Sequence, residues 1–159
     1  MITVGDIVYF LTPGLLGYSV SAICDIGKNA GDSVAFRPPA KAFGIIWAIL
    51  FVLLGISWMV GAKYSLKKQK NGCSKHVLCV ICYLLFTVSL TIWIIFYGCR
   101  NNKKAACWSL VVSIALSITC IIQGTTVSRI LLAPAIAWCV FALLMNVFEV
   151  QNKHVGNQS

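Results

Sequence analysis

Five long apolar runs separated by short polar breaks make up most of the chain. Residues 7–24 carry no charge between Asp6 and Asp25, and residues 42–62 none between Lys41 and Lys63. Residues 77–99 are uncharged up to Arg100. A fourth run, 105–124, closes on Gln123-Gly124-Thr125-Thr126, and a fifth, 130–148, lies between Arg129 and Glu149. At the helical rise of about 1.5 Å per residue, some twenty residues reach roughly 30 Å, the depth of a bilayer's hydrocarbon core. In that medium a helix is the element that satisfies its backbone polar groups within one segment. The pattern therefore predicts an all-α integral membrane bundle of five transmembrane helices, a single domain over 1–159 with a polar tail at 149–159.

The breaks carry the turn chemistry. Pro38 and Pro39 cannot continue a helix from upstream and suit the first turn of the next, so the second helix is expected to start near Ala40. Residues 25–41, with Asp25, Gly27, Lys28, Asn29, Gly31, Asp32 and Arg37, form the longest polar loop, either a plain connection or a cover over a site. Asn71-Gly72 marks a turn inside the cluster Lys63, Lys67, Lys68, Lys70 and Lys75. Five spans put the termini on opposite sides. Six Lys and Arg fall in the breaks of one side and seven on the other, which leaves the orientation open.

Composition agrees with that picture. The chain is 59% hydrophobic and 11% charged with a mean hydropathy of +0.87, where a soluble domain is nearer a quarter charged. The net charge of +9 sits almost wholly in the breaks. The basic residues are thus expected as membrane anchors touching anionic lipids, with no nucleic acid as partner. The eight cysteines, Cys24, Cys73, Cys79, Cys82, Cys99, Cys107, Cys120 and Cys139, lie mostly inside apolar runs. There they should behave as small apolar residues rather than as a disulfide framework. The first run follows Asp6 with no basic residue before it, so it is expected to be retained rather than cleaved as a signal.

Within the spans, some positions are not what lipid alone would select. Gly44, Trp47, Phe51, Gly55 and Trp58 fall on one stripe of the second helix. Pro134, Trp138, Ala142, Met145 and Glu149 do so on the fifth, with Asn146 beside them. Facing each other, Trp47, Phe51, Trp58, Trp138, Ala142 and Met145 would enclose an aromatic-walled cavity for a flat hydrophobic ligand, or else form a dry packing interface. Asn146 is costly in an apolar span unless another helix or a ligand bonds it. Glu149, at the end of its run, is expected to meet headgroups or water. Gly17 with Ser21, and Ser109, Ser113 and Ser117, read as close-packing faces. Cys73, His76, Cys79 and Cys82 recur every three residues, but on one helix they turn by about 60° each and cannot converge on a metal. No nucleophile–base set or phosphate-binding glycine motif is readable, so neither an enzyme nor a required cofactor or metal is expected.

Pro38-Pro39, Gly44, Trp47, Phe51 and Gly55, with Leu131-Leu132-Ala133-Pro134, Trp138, Phe141-Ala142 and Asn146, resemble the two signature segments of the TspO, or translocator protein, family, also called the tryptophan-rich sensory proteins or peripheral-type benzodiazepine receptors. Phe96-Tyr97-Gly98 is similar too, and the likeness extends from about Phe10 to Lys153. The resemblance implies a five-helix membrane receptor or carrier, often a homodimer, binding porphyrins (protoporphyrin or haem-type), sterols such as cholesterol and benzodiazepine-type ligands in a pocket under the first loop. It implies Trp47, Phe51, Trp138, Ala142, Met145 and Asn146 as ligand-binding positions, with Trp108 as a further match on the fourth helix. A mitochondrial outer membrane or a bacterial envelope is the setting it suggests, and light-dependent porphyrin degradation an alternative activity. A structural or interaction protein without a ligand is the other alternative. The sequence departs from the pattern at Lys41, Ala135, Ser89 and Ile92, with Trp93 one position beyond an expected tryptophan. Val147 and Gln151 stand where the family's cholesterol motif has tyrosine and arginine.

Overall fold

A computed structural model describes residues 2–24, 26, 34–67 and 74–156. Five helices follow in chain order: α1 (Val4–Ile23), α2 (Ala40–Lys67), α3 (Ser74–Ile94), α4 (Lys103–Gln123) and α5 (Thr126–Gly156). A π-helical turn, Ile95–Cys99, prolongs α3. Each of the five spans is long and apolar enough to cross a membrane. Most of the polar loop (25 and 27–33), residues 68–73 including Cys73, and 157–159 lie outside the described residues.

Local chemistry sets the helix ends. Thr3 caps α1 in a reciprocal box, its backbone N–H donating to Asp6 Oδ2 at 2.6 Å while the Asp6 N–H donates to Thr3 Oγ1 at 3.3 Å. After Pro38-Pro39, α2 begins at Ala40, where the prolines were expected to set it. Asn101, at φ 47°, takes a left-handed conformation that asparagine tolerates. Asn102 then caps α4 by accepting from the Ala105 N–H at 3.1 Å. The Ser128 N–H donates to Thr125 Oγ1 at 3.1 Å at the start of α5.

Several helices outrun the uncharged windows, because charged residues at the window edges are accommodated inside them. Asp6 lies within α1, 3% exposed, paired with Lys63 of α2 at 3.0 Å. Arg129 lies within α5 and donates through Nε to the Ile121 carbonyl at 2.8 Å, answering the C-terminal end of α4. α5 continues past Glu149 to Gly156, so the residues read as the start of a polar tail are helical.

The helices close into a ring in which α1 meets α2 and α3, α2 meets α5, α5 meets α4 and α4 meets α3, with α2 also touching α3. Small residues allow the closest approaches. Gly55 of α2 abuts the backbone of Phe10 on α1, and Gly17 of α1 abuts the Phe51 ring, so a Cβ at either position would overlap its neighbour. Ser89 and Ser113 join α3 to α4 through their hydroxyls at 2.8 Å, in keeping with the close packing expected of the serine stripe.

The cysteine expectation needs correction. Cys24, at the end of α1, and Cys99, at the end of the π-helical turn, form a disulfide across 75 residues of sequence. Both close an apolar run at the same end of the bundle, which brings them together. Cys79, Cys82, Cys120 and Cys139 are buried free thiols, and Cys107 is half-buried.

Candidate functional site

Three tryptophans from three helices meet in the bundle. The Trp47 ring of α2 lies 5.4 Å from that of Trp93 on α3 and 6.4 Å, edge to face, from that of Trp138 on α5. Phe51 stacks on Trp47 at 5.3 Å, Tyr97 on Trp93 at 5.3 Å, and Phe43 meets Trp138 at 5.7 Å. On α5 the same face continues through Ala142, Met145 and Asn146, each 1% exposed or less. The third-helix tryptophan is thus supplied by Trp93, fully buried, while Ile92 turns outward at 39% exposure.

One end of this aromatic core is closed by a phenol and a buried ion pair. The Tyr97 hydroxyl donates to Glu149 Oε2 at 2.6 Å, Lys103 Nζ lies 3.8 Å from Glu149 Oε1, and the same ammonium sits 3.3 Å from the centre of the Tyr97 ring. Glu149 is 4% exposed, which corrects its assignment to headgroups or water. The extension of α5 and the start of α4 enclose the carboxylate, and a cation and a phenol compensate its burial.

Other expected members lie elsewhere. Trp58, about 16 Å along the helix from Trp47 at the standard rise, stacks between Tyr9 at 5.3 Å and Tyr83 at 5.9 Å in a second aromatic cluster. Gly44 and Pro134, assigned to the inward stripes, are exposed, each being the first residue of its stripe. Trp108 is 72% exposed on α4 and takes no part in the buried core. Four residues before it, Lys104 is exposed too, so this side of the first turns of α4 faces outward.

The family model that the chain matches is TspO/MBR, over residues 10–150, from the first helix to the fifth. The chain belongs to the TspO/MBR family. Among curated proteins none gives a significant match. Family membership and the five apolar helices agree on a multi-pass integral membrane protein. In this TspO/MBR chain Trp47, Phe51, Trp138, Ala142, Met145 and Asn146 share one interior region, and Trp93, Tyr97, Phe43, Lys103 and Glu149 join them. Trp93 and Tyr97 were visible in the sequence as a displaced tryptophan and the Phe-Tyr-Gly ending of the third span. Glu149 was on the fifth-helix stripe but was read as facing headgroups or water because it ends its run, and no periodicity announced Lys103, which stands at the edge of its own.

His76 places its Nδ1 3.2 Å from the Ala62 carbonyl. Among the described residues no three His, Cys, Asp or Glu side chains gather as metal ligands would. The groups at the aromatic core are ring faces, indole N–H donors and one primary amide, the chemistry of non-covalent recognition.

Proposed function

We propose that this TspO/MBR protein is a membrane receptor or carrier that holds a flat hydrophobic ligand of the porphyrin class between α2, α3 and α5. The convergence of Trp47, Trp93 and Trp138 from three helices supports the reading. A large planar ring buries apolar area between such faces and replaces ring–ring contacts, each worth about 0.5–1.5 kcal/mol, with offset stacking on the guest. The indoles touch one another, so the guest enters by parting them. Binding is then coupled to a small separation of α2 from α5. Burial and stacking suffice for this function, and no covalent step is invoked. The same walls suit a benzodiazepine-type drug. Sterol recognition lacks the usual polar anchor, since Val147 and Gln151 stand in place of the cholesterol motif's tyrosine and arginine.

Tryptophan fluorescence of the full chain in detergent, titrated with protoporphyrin, tests the proposal. Saturable quenching is expected, with affinity reduced about tenfold or more in Trp47→Leu and Trp138→Leu, the loss of one to two aromatic contacts. Absence of saturable quenching, or unchanged affinity in both variants, would leave the aromatic core as packing alone.

A further inference from the structure

The buried polar side chains of the bundle divide sharply by whether the protein pairs them. Tyr83 donates to Ser57, and Ser57 to the Ser128 carbonyl, both at 2.8 Å. Thr87, Ser109 and Ser117 bond carbonyls of their own helices, and Ser89 and Ser113 bond each other. Against these stands Asn146. It is 0% exposed, and among the described residues neither its Oδ1 nor its Nδ2 has a partner. The indole N–H groups of Trp47, Trp93 and Trp138 are also buried without partners among the described residues. So is that of Trp58, within its separate stack.

An amide unpaired at both ends costs about 1–3 kcal/mol for each group left unsatisfied, and a leucine of similar size would fill the position without that cost. Asn146 lies one turn beyond Ala142 on the face that carries Trp138, and the Lys103–Glu149 pair begins three residues further on. It therefore stands between the aromatic walls and a pair of charges that already neutralise each other. A primary amide offers one acceptor and two donors, whereas an indole offers a donor only. What complements this set is neutral and carries an acceptor next to a donor.

We infer that the same site takes smaller planar guests with a lactam-type edge, an N–H beside a carbonyl, which pairs with both ends of Asn146 while the ring faces lie against the tryptophans, a pairing that a porphyrin, lacking that edge, leaves unmade. The inference rests on the ligand-binding reading above and adds its chemistry: among small planar guests Asn146 sets specificity, disfavouring hydrocarbons and rings whose edge nitrogen is alkylated. A spare acceptor on the same ring would satisfy an indole N–H.

Phenanthridinone, a flat tricyclic lactam, and its N-methyl derivative provide the test by equilibrium dialysis against the full chain in detergent, with empty micelles as blank. The lactam should bind saturably and the N-methyl compound at least about tenfold more weakly, the effect of leaving a buried partner unpaired. In Asn146→Leu the two should differ by less than about twofold, and the ligand-free variant should melt no lower than the parent, since an orphaned amide has been replaced by an apolar group. Asn146→Ser, keeping one hydroxyl, should discriminate to an intermediate degree. Equal binding of both compounds to the parent protein, or discrimination that survives in Asn146→Leu, overturns the inference. So does a large loss of stability in Asn146→Leu, which would mean that the amide serves the fold. Protoporphyrin quenching without phenanthridinone binding overturns it and leaves the proposed function standing. If neither probe binds, the proposed function fails and this inference with it.

Discussion

The hydroxyl of Tyr97 donates to the carboxylate of Glu149 across 2.6 Å, joining the π-helical end of the third span to the fifth helix 52 residues later. Both residues are buried, and the bond closes the end of the aromatic core beside Lys103. A hydrogen bond to a charged group in such a setting is worth about 1.5–3 kcal/mol. Tyr97→Phe should therefore lower stability by about that amount, read as a drop in melting temperature in detergent. Lys103→Met should cost more, because it takes a cation away from a buried carboxylate. A Tyr97→Phe protein as stable as the parent would mean that the contact does not hold the two helices together.

Two glycines of α2 should respond in opposite ways to the same methyl group. At Gly55 an added Cβ runs into the Phe10 backbone, which cannot swing aside, whereas at Gly44 it meets nothing within 4 Å. Gly55→Ala is expected to destabilise by about 1–3 kcal/mol through forced separation of α1 from α2. Gly44→Ala should be neutral or slightly stabilising, as alanine is the better helix former by about 1 kcal/mol. Thermal unfolding of the two variants side by side decides it.

The Cys24–Cys99 bond is open to a direct chemical count. Alkylation of the denatured protein should incorporate two more groups after reduction than before, and peptide mass spectrometry without reduction should recover the two segments joined. Cys24→Ser should lower stability by about 2 kcal/mol, at the low end for a disulfide because helices held in a membrane or micelle leave less freedom to restrict. Equal alkylation before and after reduction would show the pair to be free thiols.

The contrast between Trp93 and Trp108 tests the site's membership. Trp93 is fully buried against Trp47, and Trp108 is 72% exposed. Trp93→Leu should weaken protoporphyrin binding about tenfold, as expected for one removed aromatic wall, while Trp108→Leu should change it by less than about twofold. Quenching titrations of both variants measure this, and the reverse order would return Trp108 to the site.

Much of the candidate site was legible because a helix writes its faces into the sequence at fixed spacing. Trp47 and Phe51 share a stripe, as do Trp138, Ala142 and Met145, and the fold turns both stripes inward. The same rule led Trp58 into the wrong cluster, since periodicity fixes the direction of a side chain around the axis and not which neighbour stands opposite at that depth. Trp108 misled differently: likeness of position assigned it to the site, but the rotation of α4 about its own axis leaves it on the outer surface.

By itself the sequence determined the number of spans, their helical state and the residues each helix gathers on a face, because these follow from hydrocarbon thickness, backbone hydrogen bonding and a repeat of 3.6 residues. Only the tertiary structure decided that Asp6, Arg129 and Glu149 belong inside helices rather than at their ends, that Cys24 bonds Cys99, and that Asn146 goes unpaired while nearby hydroxyls do not. The Asp6, Glu149 and Cys24 outcomes depend on partners from distant parts of the chain, Lys63, Tyr97 with Lys103, and Cys99. A charge at the rim of an apolar run reads as a boundary until another helix supplies its counter-ion, and that pairing exists only once the helices have packed.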